Sequence, residues 1–292
     1  MQGCNVSYFN IIKSVLDELF TDIPGLNKAQ KYQAVRSKIE TLSNSYYKLT
    51  EDSRPAIDYS DPVSKFAYVY MYTACHAELI AQVVNEFDLL KESASDPSNF
   101  RATCIGGGPG SDVVGLLDSY SELSNAKNFH AWLIDRENSW GDCWGEISRF
   151  IDNKITVTTQ VEPIDLTDDS AIKSAVKNSR RYLRADLVTM SFVVSEVYSF
   201  REKANGPLKR LLSALRPGAH LLFIDNNDAD GCFLQWFEEL AAASDFKVLE
   251  GEARRMSIEE KSQKAALGEY LEKLDRQPKQ NANAVFRICM KT

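Results

Sequence analysis

The sequence predicts an α/β protein in which a doubly wound, mostly parallel sheet follows an N-terminal group of helices. From Phe100 onward, short apolar runs alternate with amphipathic runs, which is typical of right-handed crossovers in a parallel sheet. The run Asp-Leu-Val-Thr-Met-Ser-Phe-Val at 186–193 is nearly all apolar, as expected for a central strand covered on both faces. Before Phe100 the apolar spacing is helical. These three observations define the predicted fold class.

Composition places the chain among ordinary globular proteins. It has 292 residues, of which 44% are hydrophobic and 26% charged, enough for one large domain or two small ones. No apolar run is long enough to span a membrane, and the N-terminus lacks the pattern of a signal peptide. The six cysteines are isolated in sequence, which favours free thiols in a reducing compartment. We therefore expect a cytoplasmic protein, with the nucleus as the alternative.

The first 98 residues predict a helical domain. One helix is expected at 6–20, and a second carries an apolar stripe from Tyr32 to Leu49 at spacings of three and four. A third opens at Asp61-Pro62, with Asp as N-cap and Pro in the first turn, and runs to Phe87. This third helix is apolar on more than one face, so we expect it to pack on two sides, with His76 in the core. The polar segment 93–98 ends the domain.

Residues 99–292 predict the sheet domain. The expected strands are 101–105, 130–135, 155–161, 186–193, 219–225, 246–250 and 284–290. The expected helices between them are 111–123, 137–151, 168–179, 202–215 and 230–243. The charged segment 252–282 interrupts the last two strands and predicts a helical insertion at the rim of the sheet, where such segments often shape a site.

A glycine loop follows the first of these strands. Residues 105–111 read Ile-Gly-Gly-Gly-Pro-Gly-Ser, and glycines let a backbone turn tightly and lie against a ligand. The candidate ligand-binding glycines are Gly106, Gly107, Gly108 and Gly110. Ser111 stands where a dinucleotide-binding fingerprint would have its third glycine, and no Lys-Ser or Lys-Thr pair completes a phosphate-binding P-loop.

The stretch Ala-Thr-Cys-Ile-Gly-Gly-Gly-Pro-Gly-Ser resembles motif I of class I S-adenosyl-L-methionine-dependent methyltransferases. Further landmarks follow in the order of that family: Asp135 after the second strand, Asp165 after the third, Glu196 after the fourth, and Leu-Arg-Pro-Gly-Ala-His before the fifth. The resemblance covers residues 100–292. It implies a seven-stranded methyltransferase sheet whose last strand is antiparallel, and methyl transfer from S-adenosyl-L-methionine that leaves S-adenosyl-L-homocysteine.

The resemblance also implies roles around the ribose and the methionine moiety. The glycine loop would pass beneath the methionine part of the cofactor. Asp135 would accept hydrogen bonds from both ribose hydroxyls, which are charge-assisted and therefore strong. Arg136 would flank the adenine.

Further residues are implied at the two ends of the cofactor. Asp165 would accept the adenine amino group, and Leu166 would offer a backbone N–H to the ring. Ser191 and Phe192 would pass close to the sulfonium. The activated sulfonium leaves the protein mainly the task of aligning the acceptor for in-line attack.

Glu196 is the candidate catalytic residue, with Tyr198 as its companion. Glu196 follows the fourth strand, where it could hold an acceptor amine or take a proton. The alternative is that it is solvated or orients a nearby loop, and Tyr198 shares that alternative. No metal ion is expected in this chemistry.

The sequence leaves the methyl acceptor open. A small molecule or a protein is favoured by the net charge of −7, which argues against broad nucleic-acid binding. RNA is the alternative, since the glycine loop and the loop after the fourth strand resemble those of fungal large-subunit rRNA uridine-N3 methyltransferases. Ser191-Phe192-Val193-Val194 replaces the Asn-Pro-Pro-Tyr type of loop, which disfavours methylation of exocyclic base amines. A module that binds the cofactor without catalysis is a further alternative.

Overall fold

One mixed sheet forms the centre of the molecule. The computed structural model describes residues 7–23, 27–51, 55–96, 98–123, 125–149, 155–178, 181–258 and 262–292. Its strands are β1 Asn99–Ile105, β2 Asn128–Asp135, β3 Thr156–Pro163, β4 Leu187–Ser191, β5 His220–Asn226, β6 Phe246–Ser257 and β7 Asn281–Lys291. Their order is β3-β2-β1-β4-β5-β7-β6, and β7 is antiparallel to both of its neighbours. The predicted methyltransferase sheet with an antiparallel last strand is confirmed.

Helices cover both faces of this sheet. Their bounds are α1 Tyr8–Asp22, α2 Lys28–Tyr46, α3 Pro62–Tyr68, α4 Ala74–Glu86, α5 Leu89–Ser93, α6 Ser111–Tyr120, α7 Trp140–Ser148, α8 Asp169–Asn178, α9 Val193–Val197, α10 Arg201–Ser213, α11 Cys232–Ala242, α12 Gln263–Leu267 and α13 Glu269–Leu274. One apolar cluster joins α1–α4, α6 and α7 to one face of the sheet, and a second joins α8, α10 and α11 to the other. The carboxyl ends of the parallel strands therefore meet between two packed layers.

The helices that precede the sheet, described over 7–96 and called the N-terminal layer below, pack directly on it. As predicted, Asp61 caps α3, accepting the N–H groups of Val63 and Ser64 at 3.1 and 3.3 Å. The sequence did not predict the π-helical turn Val69–Thr73 that joins α3 to α4. A π turn adds a residue to the helical repeat and so re-aims the side chains that follow it.

The fourth strand is shorter than predicted. The apolar run 186–193 indicated a strand throughout, but β4 ends at Ser191 and α9 begins at Val193. Phe192 lies between them in a left-handed conformation with φ of 55°. Apolar content predicts burial equally well for a strand and for the buried helix turn after it, so the pattern could not locate this break.

The charged segment 252–282 is only partly helical, and its prediction is wrong for the first six residues. Residues 252–257 continue β6, which pairs with β7 from Phe246↔Lys291 to Ser257↔Asn281. β6 is a mostly exposed edge strand, and an exposed strand is as polar as an exposed helix. The helices α12 and α13 follow. The ends predicted for two other helices, at 150–151 and at 179, lie outside the described residues.

Candidate functional site

The loop between β1 and α6 turns on three glycines in left-handed conformations. Gly106, Gly108 and Gly110 have φ of 70°, 47° and 94°. A Cβ at Gly106 would lie 2.3 Å from Val193 Cγ2, and one at Gly110 would lie 2.5 Å from Trp144 Cε3. A Cβ at Gly108 would meet no atom within 4 Å. The loop is therefore closely packed at both ends and leaves an open cradle at Gly108.

Asp135, the last residue of β2, contacts the middle of this loop. Its Oδ2 accepts the N–H of Gly108 at 3.1 Å, and its Oδ1 accepts the N–H of Glu137 at 3.0 Å. Burial raises the pKa of Asp135, and the two backbone donors oppose that rise. A carboxylate has about four lone-pair sites, so Asp135 keeps the capacity to accept hydroxyl donors from a ligand.

A cavity of about 300 Å³ opens beside the loop at the carboxyl ends of the strands, and we call it the first cavity. Six of the predicted site residues line it. They are Gly106, Asp135, Arg136, Asp165, Leu166 and Glu196. The N-terminal layer adds Ile57 and Tyr59. The fold thus joins residues from the ends of several strands with side chains that lie 47 or more positions earlier in the chain.

Two polar residues of the first cavity are held in place by hydrogen bonds within the protein. Asp165 is exposed, and its Oδ1 accepts the N–H and the hydroxyl of Thr167 at 2.8 and 2.7 Å. Arg136 donates from Nη2 to the carbonyl oxygen of Ile57 at 2.5 Å. This contact ties the segment before α3 to the end of β2. The neighbouring Leu166 is buried.

Glu196, in α9, is held by the N-terminal layer. The hydroxyl of Tyr46, at the end of α2, donates to Glu196 Oε1 at 2.6 Å and lies 2.9 Å from the hydroxyl of Tyr59. Burial, with the charge of Glu196 as the next cause, raises the pKa of both tyrosines well above 10. Both phenols therefore keep their protons at neutral pH, so Tyr46 donates to the carboxylate and Tyr59 can donate to Tyr46.

The remaining predicted site residues do not line the first cavity. They are Gly107, Gly108, Gly110, Ser191, Phe192 and Tyr198. Tyr198 packs its ring on Phe233 and Trp236, with centroid distances of 5.1 and 5.8 Å, so the structure does not bring it to Glu196. Ser191 is buried, and its hydroxyl has no hydrogen-bond partner among the described residues.

Phe192 stacks on a histidine of the N-terminal layer. Its ring lies 3.9 Å from that of His76, with an interplanar angle of 10°, and its N–H donates to the carbonyl of Ile224 at 2.7 Å. Burial lowers the pKa of His76 well below 6.5, and the charge of Lys279 lowers it further. His76 is therefore neutral at neutral pH and lies in the core as predicted.

A second cavity, of about 400 Å³, lies on the other side of this stack. Its lining is mainly aromatic and cationic, and includes Tyr46, Tyr47, Tyr72, His76, Phe192, Arg276 and Lys279. The two cavities share a wall. Tyr46 lines the second cavity and bonds Glu196 in the first, while the adjacent residues Phe192 and Val193 line one cavity each.

Sequence reasoning missed three residues that line these cavities and a fourth, Asp112, behind the glycine loop. Tyr46 belonged to the apolar stripe of its helix, Tyr59 to a polar stretch, and Lys279 to the charged segment. None of them carries a local motif. The one available signal was at Asp112, an acidic residue in the first turn after the glycine loop, a position that helix dipoles favour for carboxylates.

Asp112 is a buried carboxyl behind the glycine loop. It is 2% exposed, and the hydroxyl of Thr189 on β4 donates to its Oδ2. Burial raises its pKa to about 7, against the hydrogen bond from Thr189, which lowers it. The carboxyl therefore joins α6 to the central strand and changes charge near neutral pH.

The described residues contain neither a cluster of metal-ligating side chains nor a membrane-spanning helix. No group of three or more His, Cys, Asp or Glu side chains in the described part of the chain could hold a metal ion. Across the same residues, no helix has both the length and the apolar content that crossing a membrane requires.

The family model that matches this chain is described as "Putative SAM-dependent methyltransferase", and it matches residues 64–229. SAM is S-adenosyl-L-methionine. The matched range runs from α3 to the loop after β5, so it contains the glycine loop, Asp135, Asp165 and Glu196.

Individual relatives are distant. "Probable polyketide synthase 39" of Dictyostelium discoideum is 24% identical over 192 residues, which are 60% of this chain and 6% of that protein. A structure from Pyrococcus horikoshii described as a "putative RNA methyltransferase" is 13% identical, with a TM-score of 0.43 over 87% of this chain and 98% of that one. N-methyltransferase NodS from Bradyrhizobium japonicum, in complex with S-adenosyl-L-homocysteine, is 12% identical, with a TM-score of 0.38 over 87% and 98%.

Proposed function

The chain belongs to this family of SAM-dependent methyltransferases, whose model spans more than half of it, and we propose that the first cavity is its cofactor site. The observation that carries the proposal is the contact between Asp135 and the N–H of Gly108 at 3.1 Å. It sets a carboxylate with spare acceptor capacity beside an open glycine cradle. An adenosyl group has ribose hydroxyls that donate to such a carboxylate.

The residues around the cradle fit the rest of the cofactor. The absence of any atom within 4 Å of a Cβ at Gly108 leaves room for a ligand against the backbone. Asp165 and Leu166 line the same cavity and would hold the adenine, with Arg136 at its edge. Bound there, SAM supplies an activated methyl group.

The N-terminal layer would complete the site. Residues 1–98 would cover the cofactor that residues 99–292 bind, because Ile57 and Tyr59 line the first cavity. Tyr46 fixes the carboxylate of Glu196 at 2.6 Å, which supports Glu196 as a residue that would orient the acceptor or take its proton. Tyr198 has no part in this proposal, since its ring packs elsewhere.

Calorimetric titration with S-adenosyl-L-homocysteine tests the cofactor site. Wild-type protein should bind it, and Asp135→Ala should weaken binding at least about tenfold, because hydrogen bonds to a charged group contribute roughly 1.5–3 kcal/mol each. Asp142→Ala, which removes an exposed carboxylate in the first turn of α7, is the matched control and should bind as the wild type does. Equal affinity of wild type and Asp135→Ala would refute the ribose assignment.

We propose a small molecule or a protein side chain as the methyl acceptor. The net charge of −7 and the cover that the N-terminal layer provides support an acceptor that enters a confined opening. RNA is the second candidate, and one observation favours it. Tyr47 is 86% exposed at the mouth of the second cavity, beside Arg276, and exposed aromatic and cationic groups are typical of surfaces that stack unpaired bases.

Transfer of labelled methyl groups separates these acceptors. The protein is incubated with methyl-labelled SAM and with small-molecule, protein and RNA fractions of a cell extract. Label in the small-molecule or protein fraction is the expected result. Label confined to RNA would reverse the ranking of the two candidates while leaving the cofactor site intact.

The described cysteines are free thiols, which indicates that the protein resides in a reducing compartment. Cys75, Cys104, Cys143 and Cys289 are buried free thiols, and Cys232 is a partly buried one. Thiols persist where the environment is reducing. We therefore propose the cytoplasm as its location, with the nucleus as the alternative.

A further inference from the structure

The second cavity is built from three parts of the chain that the fold brings together. The loop after α13 is fixed to the π turn of the N-terminal layer, because the N–H of Lys279 donates to the carbonyl of Met71 at 2.8 Å. The hydroxyl of Tyr70 donates to the carbonyl of Arg276 at 2.5 Å. The third part is Phe192, at the end of β4. The cavity therefore has a fixed shape and lies beside the proposed cofactor site.

Lys279 gives this cavity a cation that forms no ion pair with a described residue. Its Nζ lies 5.0 Å from the ring centroid of Phe192 and 5.9 Å from that of Tyr72. Among the described residues no carboxylate oxygen lies within 4 Å of it. A buried or partly buried charge without a partner is costly, so the arrangement favours a ligand that brings negative charge.

The other titratable groups that face Lys279 do not fully balance its positive charge. His76 is neutral, as described above. Burial lowers the pKa of Lys279, while Cys75 and Asp225 raise it. Burial raises the pKa of Asp225 to about 6, and the carboxylate of Asp225 is already engaged by the N–H groups of Ser195 and Asn226 at 2.9 and 2.7 Å. Arg276 adds a second cation at the mouth.

The remaining lining is suited to a flat group. Phe192 and His76 form a stacked pair with parallel rings, and Tyr46 and Tyr72 meet edge to face with centroids 5.0 Å apart. Aromatic walls bind planar ligands by offset or edge contacts. The exposed ring of Tyr47 extends the aromatic surface to the mouth.

We propose that the second cavity is a subsite for the methyl acceptor, in which Lys279 binds an anionic group on a planar part that is remote from the atom receiving the methyl group. The inference rests on the proposed function, since it places the cofactor in the first cavity across the shared wall. The anionic group is a carboxylate or a phosphate, so a small aromatic acid and a nucleotide unit present the same chemistry. Lys279 is a specificity-determining residue here, and Glu196 lies in the first cavity, where Tyr46 of the shared wall bonds it.

Two pairs of probes test this assignment on the full chain saturated with S-adenosyl-L-homocysteine. Benzoate is compared with benzamide, and uridine 5′-monophosphate with uridine, by ligand-observed nuclear magnetic resonance. At least one anionic probe should bind about tenfold or more tightly than its neutral counterpart, the scale expected for a hydrogen bond to a charged group. The pair that shows this preference identifies the source of the anion, a small acid or a nucleotide.

Three variants assign the preference to Lys279. Lys279→Met should reduce the affinity for the anionic probe to that of the neutral one, and Lys279→Arg should retain the preference. Lys273→Met, which removes an exposed lysine of α13, should behave as the wild type. Each variant is first shown to bind S-adenosyl-L-homocysteine, which reports that it is folded.

Equal affinities of anionic and neutral probes in both pairs, including no binding by either, overturn the inference. It is also overturned if Lys279→Met keeps the preference. Failure of the wild type to bind S-adenosyl-L-homocysteine is a different result, because it refutes the proposed cofactor site itself.

Discussion

Asp112 shows how burial changes the chemistry of a single residue. Its pKa of about 7 in the folded protein lies well above the ordinary 3.8, because a carboxylate at 2% exposure is poorly solvated. The folded state therefore binds a proton that the unfolded state releases between pH 4 and 7. By linkage, this residue makes stability fall as pH rises through that window, and its contribution levels off above the folded pKa.

Asp112→Asn should remove this pH dependence. The amide is neutral at every pH and can still accept the hydroxyl of Thr189. The free energy of unfolding, measured with urea at pH 5 and at pH 8, should fall by about 2 kcal/mol more in the wild type than in the variant between these two pH values.

Asp142→Ala provides the control for that experiment, because its carboxylate is exposed. Its stability should follow the wild-type pH dependence. An Asp112→Asn protein whose stability changes between pH 5 and pH 8 as much as that of the wild type would contradict the buried-charge explanation.

At the scale of elements, α4 and α6 approach closely at one glycine. A Cβ at Gly115 would lie 2.3 Å from the carbonyl oxygen of Ala77 and 3.1 Å from Ile80 Cβ. The obstacle is backbone, which cannot move aside as a side chain can. Gly115 therefore permits the N-terminal layer to dock on the helix that follows the glycine loop.

Gly115→Ala should lower the free energy of unfolding by about 2–3 kcal/mol, a typical cost of overpacking. The matched variant is Gly145→Ala in α7, where a Cβ meets nothing within 4 Å. There the greater helix propensity of Ala should raise stability by about 0.5–1 kcal/mol. Both values are measured by urea denaturation. Changes of the same sign and size would show that the α4–α6 contact is looser than described.

The elements also show where sequence patterns succeed. The stripe of α2 buries Tyr32, Val35, Ile39 and Leu42 as the periodicity predicted. The break after β4 and the length of β6 were not predicted, because burial on both faces and exposure on both faces each erase the periodic signal. The π turn was hidden for a related reason, since nearly every residue around it is buried.

At the scale of the whole molecule, the N-terminal layer and the sheet share one apolar cluster. Apolar side chains of α1–α4 pack in it with those of β1, β2 and β7. Neither part can leave the other without exposing that shared surface to water, which is costly. The two parts should therefore unfold together.

Urea unfolding followed by two signals tests this coupling. All four tryptophans, at 132, 140, 144 and 236, lie in the sheet part, whereas far-UV ellipticity also reports the N-terminal helices. The two transitions should coincide, and S-adenosyl-L-homocysteine at 100 times its dissociation constant should stabilise both by about 2.7 kcal/mol. Loss of helical signal at a lower urea concentration than tryptophan signal would show that residues 1–98 unfold separately.

The sequence by itself determined the mostly parallel sheet with its antiparallel last strand, and the glycine loop with Asp135, Asp165 and Glu196. These features are local, since a turn, a strand end or an apolar period depends on neighbours a few positions away. Tertiary structure alone decided that Tyr46 joins Glu196 to Tyr59, that Phe192 stacks on His76, and that Lys279 forms no ion pair with a described residue. Those contacts join side chains far apart in the chain, and only the packing of α2, the π turn and the loop before β7 onto the strand ends creates them.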